Sequence, residues 1–145
     1  MGVMGKVMIK VKLMHPHDWL YKQWGKLRPE QVRSLELEMM VDTGAGTGVI
    51  PEEIVEALEL PYMNYKYPVR LADGTPRELP VVSVAFEILG REEMCSFWVL
   101  PRGRHALLGQ VPLEILDLVV TPSTGEVTTN PAHGGQWIGD LLSVA

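Results

Sequence analysis

The sequence predicts a mostly β protein made of antiparallel hairpins with one or two short helices, and three observations carry that prediction. Apolar residues alternate with other residues at a period of two over residues 7–13, 35–41 and 82–88, as strands with one buried face require. Turn residues, Asp73-Gly74 and Gly90 among them, separate runs of strand character at hairpin spacing. The helical stretches last only about two turns, too short to alternate with strands in a parallel sheet.

Residues Val7, Ile9, Val11 and Leu13 alternate with Lys6, Met8, Lys10 and Lys12, which marks a half-exposed strand. The pattern breaks over residues 14–33, an inserted loop with a short helix. There His15-Pro16 makes a turn, Asp18 is placed to cap a helix through Trp24, and Gly25 is placed to end it. Strand character returns at Leu35, Leu37, Met39 and Val41. After a glycine-rich stretch, Pro51 and the acids Glu52 and Glu53 open a two-turn helix that Pro61 stops.

A hairpin within residues 66–80 turns at Ala72-Asp73-Gly74-Thr75, followed by a strand at 82–88, the Gly90 turn and a returning strand at 94–100. A loop at 101–105 precedes the apolar Ala106-Leu107-Leu108 and Gly109. A helix is expected at 112–116 and a last hairpin at 117–130, turning at Thr121-Pro122-Ser123-Thr124-Gly125.

At 145 residues the chain has the size of one domain, 1–145, with one core. Hydrophobic residues make up 46% and charged residues 21%, with a net charge of −5, a balance too apolar for disorder. No stripe of Lys and Arg follows a phosphate backbone, so nucleic acid is not an expected partner. The lone Cys95 excludes an intrachain disulfide and fits a reducing compartment, so a cytoplasmic site is expected. MGVMGKVMIKVKL is interrupted by lysines, unlike a signal peptide, and no long apolar run suggests a membrane span.

The stretch VDTGAGTGVIPEEI, residues 41–54, admits two readings. A dinucleotide loop needs glycines spaced GxGxxG before a long crossover helix. Here Gly44, Gly46 and Gly48 are spaced GxGxG, Val49 follows, and the helix is short, so that reading lacks its context. The other reading starts from Asp42-Thr43-Gly44, an acid at the end of an apolar strand followed by a hydroxyl residue and a glycine that permits close backbone approach.

MMVDTGAGTGVIPEEI resembles the active-site segment of retropepsin-like aspartic peptidases, the single-domain class that includes retroviral proteases. The order of motifs continues the resemblance: RLADGTPREL falls where that family has its flap, FEILGREEMCSFWVL where it has a long hairpin, and ALLGQVPLEIL where it has an apolar-apolar-Gly motif and closing helix. The resemblance spans residues 35–116. The KVKL start and the DLVVTPSTGEVTTNPAH ending are similar to small prokaryotic members.

The resemblance implies a closed β barrel of the acid-protease type, completed by homodimerisation, that hydrolyses peptide bonds without a cofactor or metal. Hydrolysis of this kind needs two acids, yet the chain has one Asp-Thr-Gly; Asp73-Gly74-Thr75 has the wrong order, and Asp18, Asp117 and Asp140 lack the motif. Asp42 from each of two subunits would therefore meet at a twofold axis. Such a pair shares one proton, because like charges so close cannot both ionise.

The resemblance further implies that Asp42, Thr43 and Gly44 form the catalytic loop, with Thr43 bonding into the opposite subunit. Ala45, Gly46 and Thr47, with the flap residues Ala72, Asp73, Gly74 and Thr75, would hold an extended peptide. Gly46 and Thr47 stand where retroviral enzymes often carry acids, and the flap has one glycine, so substrate preference does not carry over. Ala45 cannot give the carboxylate the hydrogen bond that Ser or Thr would supply, so the shared proton is expected to be held closer to neutral pH. A catalytically silent dimeric peptide-binding or scaffolding module is the alternative.

Other residues have plainer readings. His15 and His17 lack further ligands for a metal and are expected in a solvated loop. Cys95 is expected as a small core residue, and Trp19 and Trp24 as packing residues.

Overall fold

The computed structural model describes residues 7–121 and 123–139, so the readings that touch Lys6, Pro122 and Asp140 lie outside the described residues. In chain order the elements are β1 (Met8–Met14), α1 (Pro16–Gln23), β2 (Ser34–Val41), β3 (Val49–Pro51), α2 (Glu52–Leu58), β4 (Tyr62–Arg70), β5 (Pro76–Ile88), β6 (Arg91–Leu100), β7 (Leu107–Leu108), α3 (Gln110–Ile115), β8 (Leu118–Val120) and β9 (Val127–Thr129). The protein is mostly β, as its alternating pattern requires.

Seven strands pair in the order β1-β2-β7-β3-β6-β5-β4, and β1 also pairs with β5. Six strands thus close a ring from which β4 extends. β5 makes the closure possible through its length. One edge pairs with β6 from Val81 to Ile88, while the other pairs first with β4, from Pro76 to Val82, and then with β1, from Ala85 to Glu87. A separate antiparallel pair, β8 and β9, follows.

The period-two residues point into the ring. Val11 and Leu13 of β1, Met39 of β2, Val82, Val84 and Phe86 of β5, Phe97 of β6 and Leu108 of β7 are all fully buried in one cluster. Each side chain of this size contributes about 1.5–3 kcal/mol by leaving water. The turn from β5 to β6 is Leu89-Gly90, with φ of 52° and 82°. Both central residues being left-handed is what a tight hairpin demands, and Gly90 meets that demand without Cβ strain.

Several expectations need correction. The stretch through Leu79 and the run from Val82 are one continuous strand, because Pro80 pairs with Lys66 and does not interrupt β5. β4 begins at Tyr62, earlier than the expected hairpin, and a three-residue strand, β3, precedes α2. Pro51 is the cap of α2, which starts at Glu52, and α3 starts at Gln110 with Pro112 inside its first turn.

The region around α1 departs most. His15, expected in solvent, is 4% exposed and caps α1. Its Nδ1 accepts from the His17 amide at 3.2 Å, and its Nε2 lies 3.2 Å from the Glu59 carbonyl. With Nδ1 accepting, the neutral ring carries its proton on Nε2 and donates it to Glu59. Asp18, expected to cap the helix, lies within the first turn. Its carboxylate instead accepts from the Arg33 backbone N–H at 3.0 Å and from the Arg33 guanidinium at 2.8 and 3.1 Å.

Trp19 is buried and donates to Glu92 at 2.8 Å, where Lys22 also pairs at 2.7 Å. Trp24, expected to pack, is instead exposed beside Tyr21. Met14, Trp19, Val32 and Ala85 form a small second core, so this segment lies against β5, β6 and the end of α2.

Candidate functional site

Asp42 directly follows β2, and β7 holds it there. β2 and β7 run parallel, with Met40 opposite Leu107 and Val41 opposite Leu108. The Met40 amide donates to Ala106 at 3.0 Å and the Asp42 amide to Leu108 at 2.9 Å. The Ala45 amide then returns to the Asp42 carbonyl at 3.0 Å, and the Gly44 amide donates to Asp42 Oδ1, also at 3.0 Å. The half-buried carboxylate is thereby oriented by its own loop.

The far side of the loop is tied to the start of α3. Gln110 donates its amide to Ala45 at 3.0 Å, and Val111 donates to Gly46 at 3.1 Å. The close approach has a cause in the sequence: a Cβ on Gly109 would overlap the carbonyl oxygens of Thr47 and Ala45. Gly48 plays the corresponding part beneath the loop, where a Cβ would run into the Phe97 ring. A Cβ on Gly44 would crowd Asp42 Oδ1 at 3.2 Å.

The residues singled out in the sequence fall in two places. Residues 42–47 form the loop just described. Thr43 and Gly44 are exposed, and Thr43 lines a cavity of about 550 Å3 with Gln110, Glu114, Asp117 and Asn130. Thr47 is buried, and its hydroxyl donates to the Ser96 carbonyl at 2.8 Å, so that group faces β6. Ala72, Asp73, Gly74 and Thr75 lie at the tip of the β4–β5 hairpin. There Leu71 donates to Thr75 at 2.9 Å, and Gly74, at φ +85°, donates to Leu71 at 2.8 Å. Asp73 accepts from the Thr75 amide at 2.9 Å, and its bonding to Thr75 holds its carboxyl below the usual range.

Sequence reading missed the residues that link these two places. Trp98 of β6 lies beside Gly46, its ring stacked on Tyr67 of β4 with centroids 5.2 Å apart and planes at 24°. The signal was the alternation in β6: Phe97 and Val99 are buried, so the largest side chain of that strand occupies the outward face. Cys95, on the same strand, is partly buried against the core, and burial pushes its thiol up to about 12. No group of three or more potential metal ligands occurs among the described residues, and none of the described helices is long and apolar enough to cross a membrane.

A closed ring of strands carrying Asp-Thr-Gly on a loop pinned by an apolar-apolar-Gly strand defines a protein of the retropepsin-like class. A family model described as aspartyl protease matches residues 30–111, more than half of the sequence, and the chain belongs to that family. Among solved structures the chain is similar to EIAV protease complexed with the inhibitor HBY-793. That match has 16% identity over 79% of this chain and 90% of that one, with a TM-score of 0.54, and it shows the shared fold. A retropepsin-like aspartic protease from Rickettsia conorii matches at 18% identity over 81% and 85% of the two chains, with a TM-score of 0.48. No curated protein sequence matches the chain.

Proposed function

We propose that the protein is an aspartic endopeptidase that works as a homodimer, with Asp42 of each subunit forming the catalytic pair. The observation that carries this reading is the pinned loop. Asp42 sits at the end of β2 with its amide bonded to Leu108 and its carboxylate to Gly44 N–H, in a chain of the aspartyl protease family. A preorganised carboxylate is what general acid–base chemistry needs, since reorganisation at the moment of reaction is avoided.

In this reading one carboxylate removes a proton from a water molecule, which attacks the peptide carbonyl, while the protonated partner donates to the carbonyl oxygen. Two carboxylates in contact share a single proton, so acid and base arise together from identical residues. Thr43, exposed next to Asp42, contacts the opposite loop. Gly44, Ala45 and Gly46 present backbone to an extended peptide, and the hairpin tip at Ala72, Asp73, Gly74 and Thr75 closes over it as a flap. The reaction so written needs neither metal nor cofactor.

The test is digestion of a mixed peptide library by the wild type and by Asp42→Asn, with sedimentation of both. Cleavage by a dimeric wild type and its loss in a variant that remains dimeric is expected. Equal inactivity of the two while peptides still bind would favour a peptide-binding module, and a strict monomer would remove the second acid.

A further inference from the structure

We propose that the cavity beside the Asp42 loop, walled by the stacked rings of Tyr67 and Trp98, receives one aromatic side chain of the bound peptide and so sets substrate preference. This rests on the peptidase reading above. The cavity measures about 420 Å3, in the range of pockets that bind small ligands. It begins at Gly46 and Thr47, on the same loop as Asp42, and it reaches Tyr65 and Tyr67 on the hairpin strand β4. A peptide lying along the loop therefore passes its mouth.

Gly46 leaves the indole bare. A Cβ at that position would stand 3.1 Å from Trp98 Cη2, so a larger residue there would press on the ring or fill the space before it. Tyr65 and Tyr67, two apart on one strand, share a face and extend the aromatic wall. The rings of Tyr67 and Trp98 hold one another in a near-parallel stack, which fixes the wall before any ligand arrives.

The chemistry of the lining selects the occupant. No Asp, Glu, Lys or Arg is among its described residues. The Thr47 hydroxyl already donates to Ser96, and burial keeps the Cys95 thiol neutral. A charged side chain entering here would lose hydration without gaining a counter-charge. An alanine would leave most of the space without contacts. An aromatic ring fills it and meets ring faces and edges on the wall. The expected order is aromatic, then large aliphatic, then alanine, with charged residues rejected.

A randomised peptide library tests this in two arms. It is equilibrated with the Asp42→Asn protein and the retained peptides are sequenced by mass spectrometry, and in parallel it is digested by the wild type. One peptide position should favour Phe, Tyr or Trp over Ala by about tenfold or more. Trp98→Leu should abolish that preference, whereas Trp98→Tyr, which restores a ring, should retain it, with thermal melts establishing that both fold. Tyr67→Leu, at a site 47% exposed, repeats the test away from the core and should weaken the preference.

Cleavage by the wild type with no aromatic preference at any position would overturn the pocket assignment and leave the peptidase reading standing. So would a preference unchanged in Trp98→Leu and Tyr67→Leu. Aromatic enrichment without cleavage would support the pocket and overturn the peptidase reading, and the absence of both would overturn both.

Discussion

The backbone N–H of Asp42 donates to the carbonyl of Leu108 at 2.9 Å, so the acid is positioned by a strand 66 residues further along the chain. The next residue, Gly109, lets that strand turn beneath the loop, where a Cβ would overlap the carbonyls of Thr47 and Ala45. Neither carbonyl moves easily, since Ala45 accepts from Gln110 and the Thr47 side chain is anchored to Ser96. Gly109→Ala is expected to destabilise the fold by about 2 kcal/mol, read as a lower urea midpoint. It should also reduce peptide cleavage in the fraction that remains folded.

His15 makes stability depend on pH near neutrality. Burial, with Arg33 nearby, lowers its pKa below the usual 6.5. The folded state then binds the proton less readily than the unfolded chain, so stability is full above about 6.5 and declines as the pH falls below it. Protonation would also place a proton on Nδ1, the atom that accepts from His17. Urea unfolding at pH 7 and pH 5 should show a smaller difference for His15→Asn, which caps without titrating, than for the wild type.

Asp18 acts in a more acidic range. Hydrogen bonds from Arg33 lower its carboxyl from 3.8 to about 2. A depressed carboxyl stabilises the fold above its unfolded pKa, and the contribution fades as the pH falls from about 4 toward 2. Asp18→Asn should lose about 1–2 kcal/mol at pH 7 relative to the wild type, and the two proteins should converge near pH 2. A constant gap across that interval would dissociate Asp18 from the acid response.

The strands were legible where one face is buried and the other is not: Val82, Val84, Phe86 and Ile88 announce β5, and Leu35, Leu37 and Met39 announce β2. Legibility failed where a third body covers a face. Ala85 points away from the main core yet is fully buried, because Trp19 and Val32 lie on it. Nothing local in the sequence of α1 states that it will. His15 likewise reads as a loop residue until Glu59, 44 positions away, accepts its proton. β3, three residues long, is too brief for any period to register.

Within the candidate site the same division holds. Asp42, Thr43 and Gly44 stand out in the sequence because their order is itself a chemical pattern. Trp98 and Tyr67 belong to different strands, so their stacking at 5.2 Å is a product of register and not of local sequence. Thr47 looked like a group available to substrate, and only the tertiary contact with Ser96 shows where its hydroxyl points.

That catalysis requires one Asp42 from each of two subunits can be tested by mixing. A fixed amount of wild type is titrated with Asp42→Asn under conditions that allow subunit exchange, and peptide cleavage is followed. If the two aspartates act as a pair, each mixed dimer is inactive, and the activity per wild-type subunit falls steadily as the variant is added. If that activity stays constant at every ratio while mixed dimers are shown to form, a single Asp42 suffices and the paired mechanism is wrong.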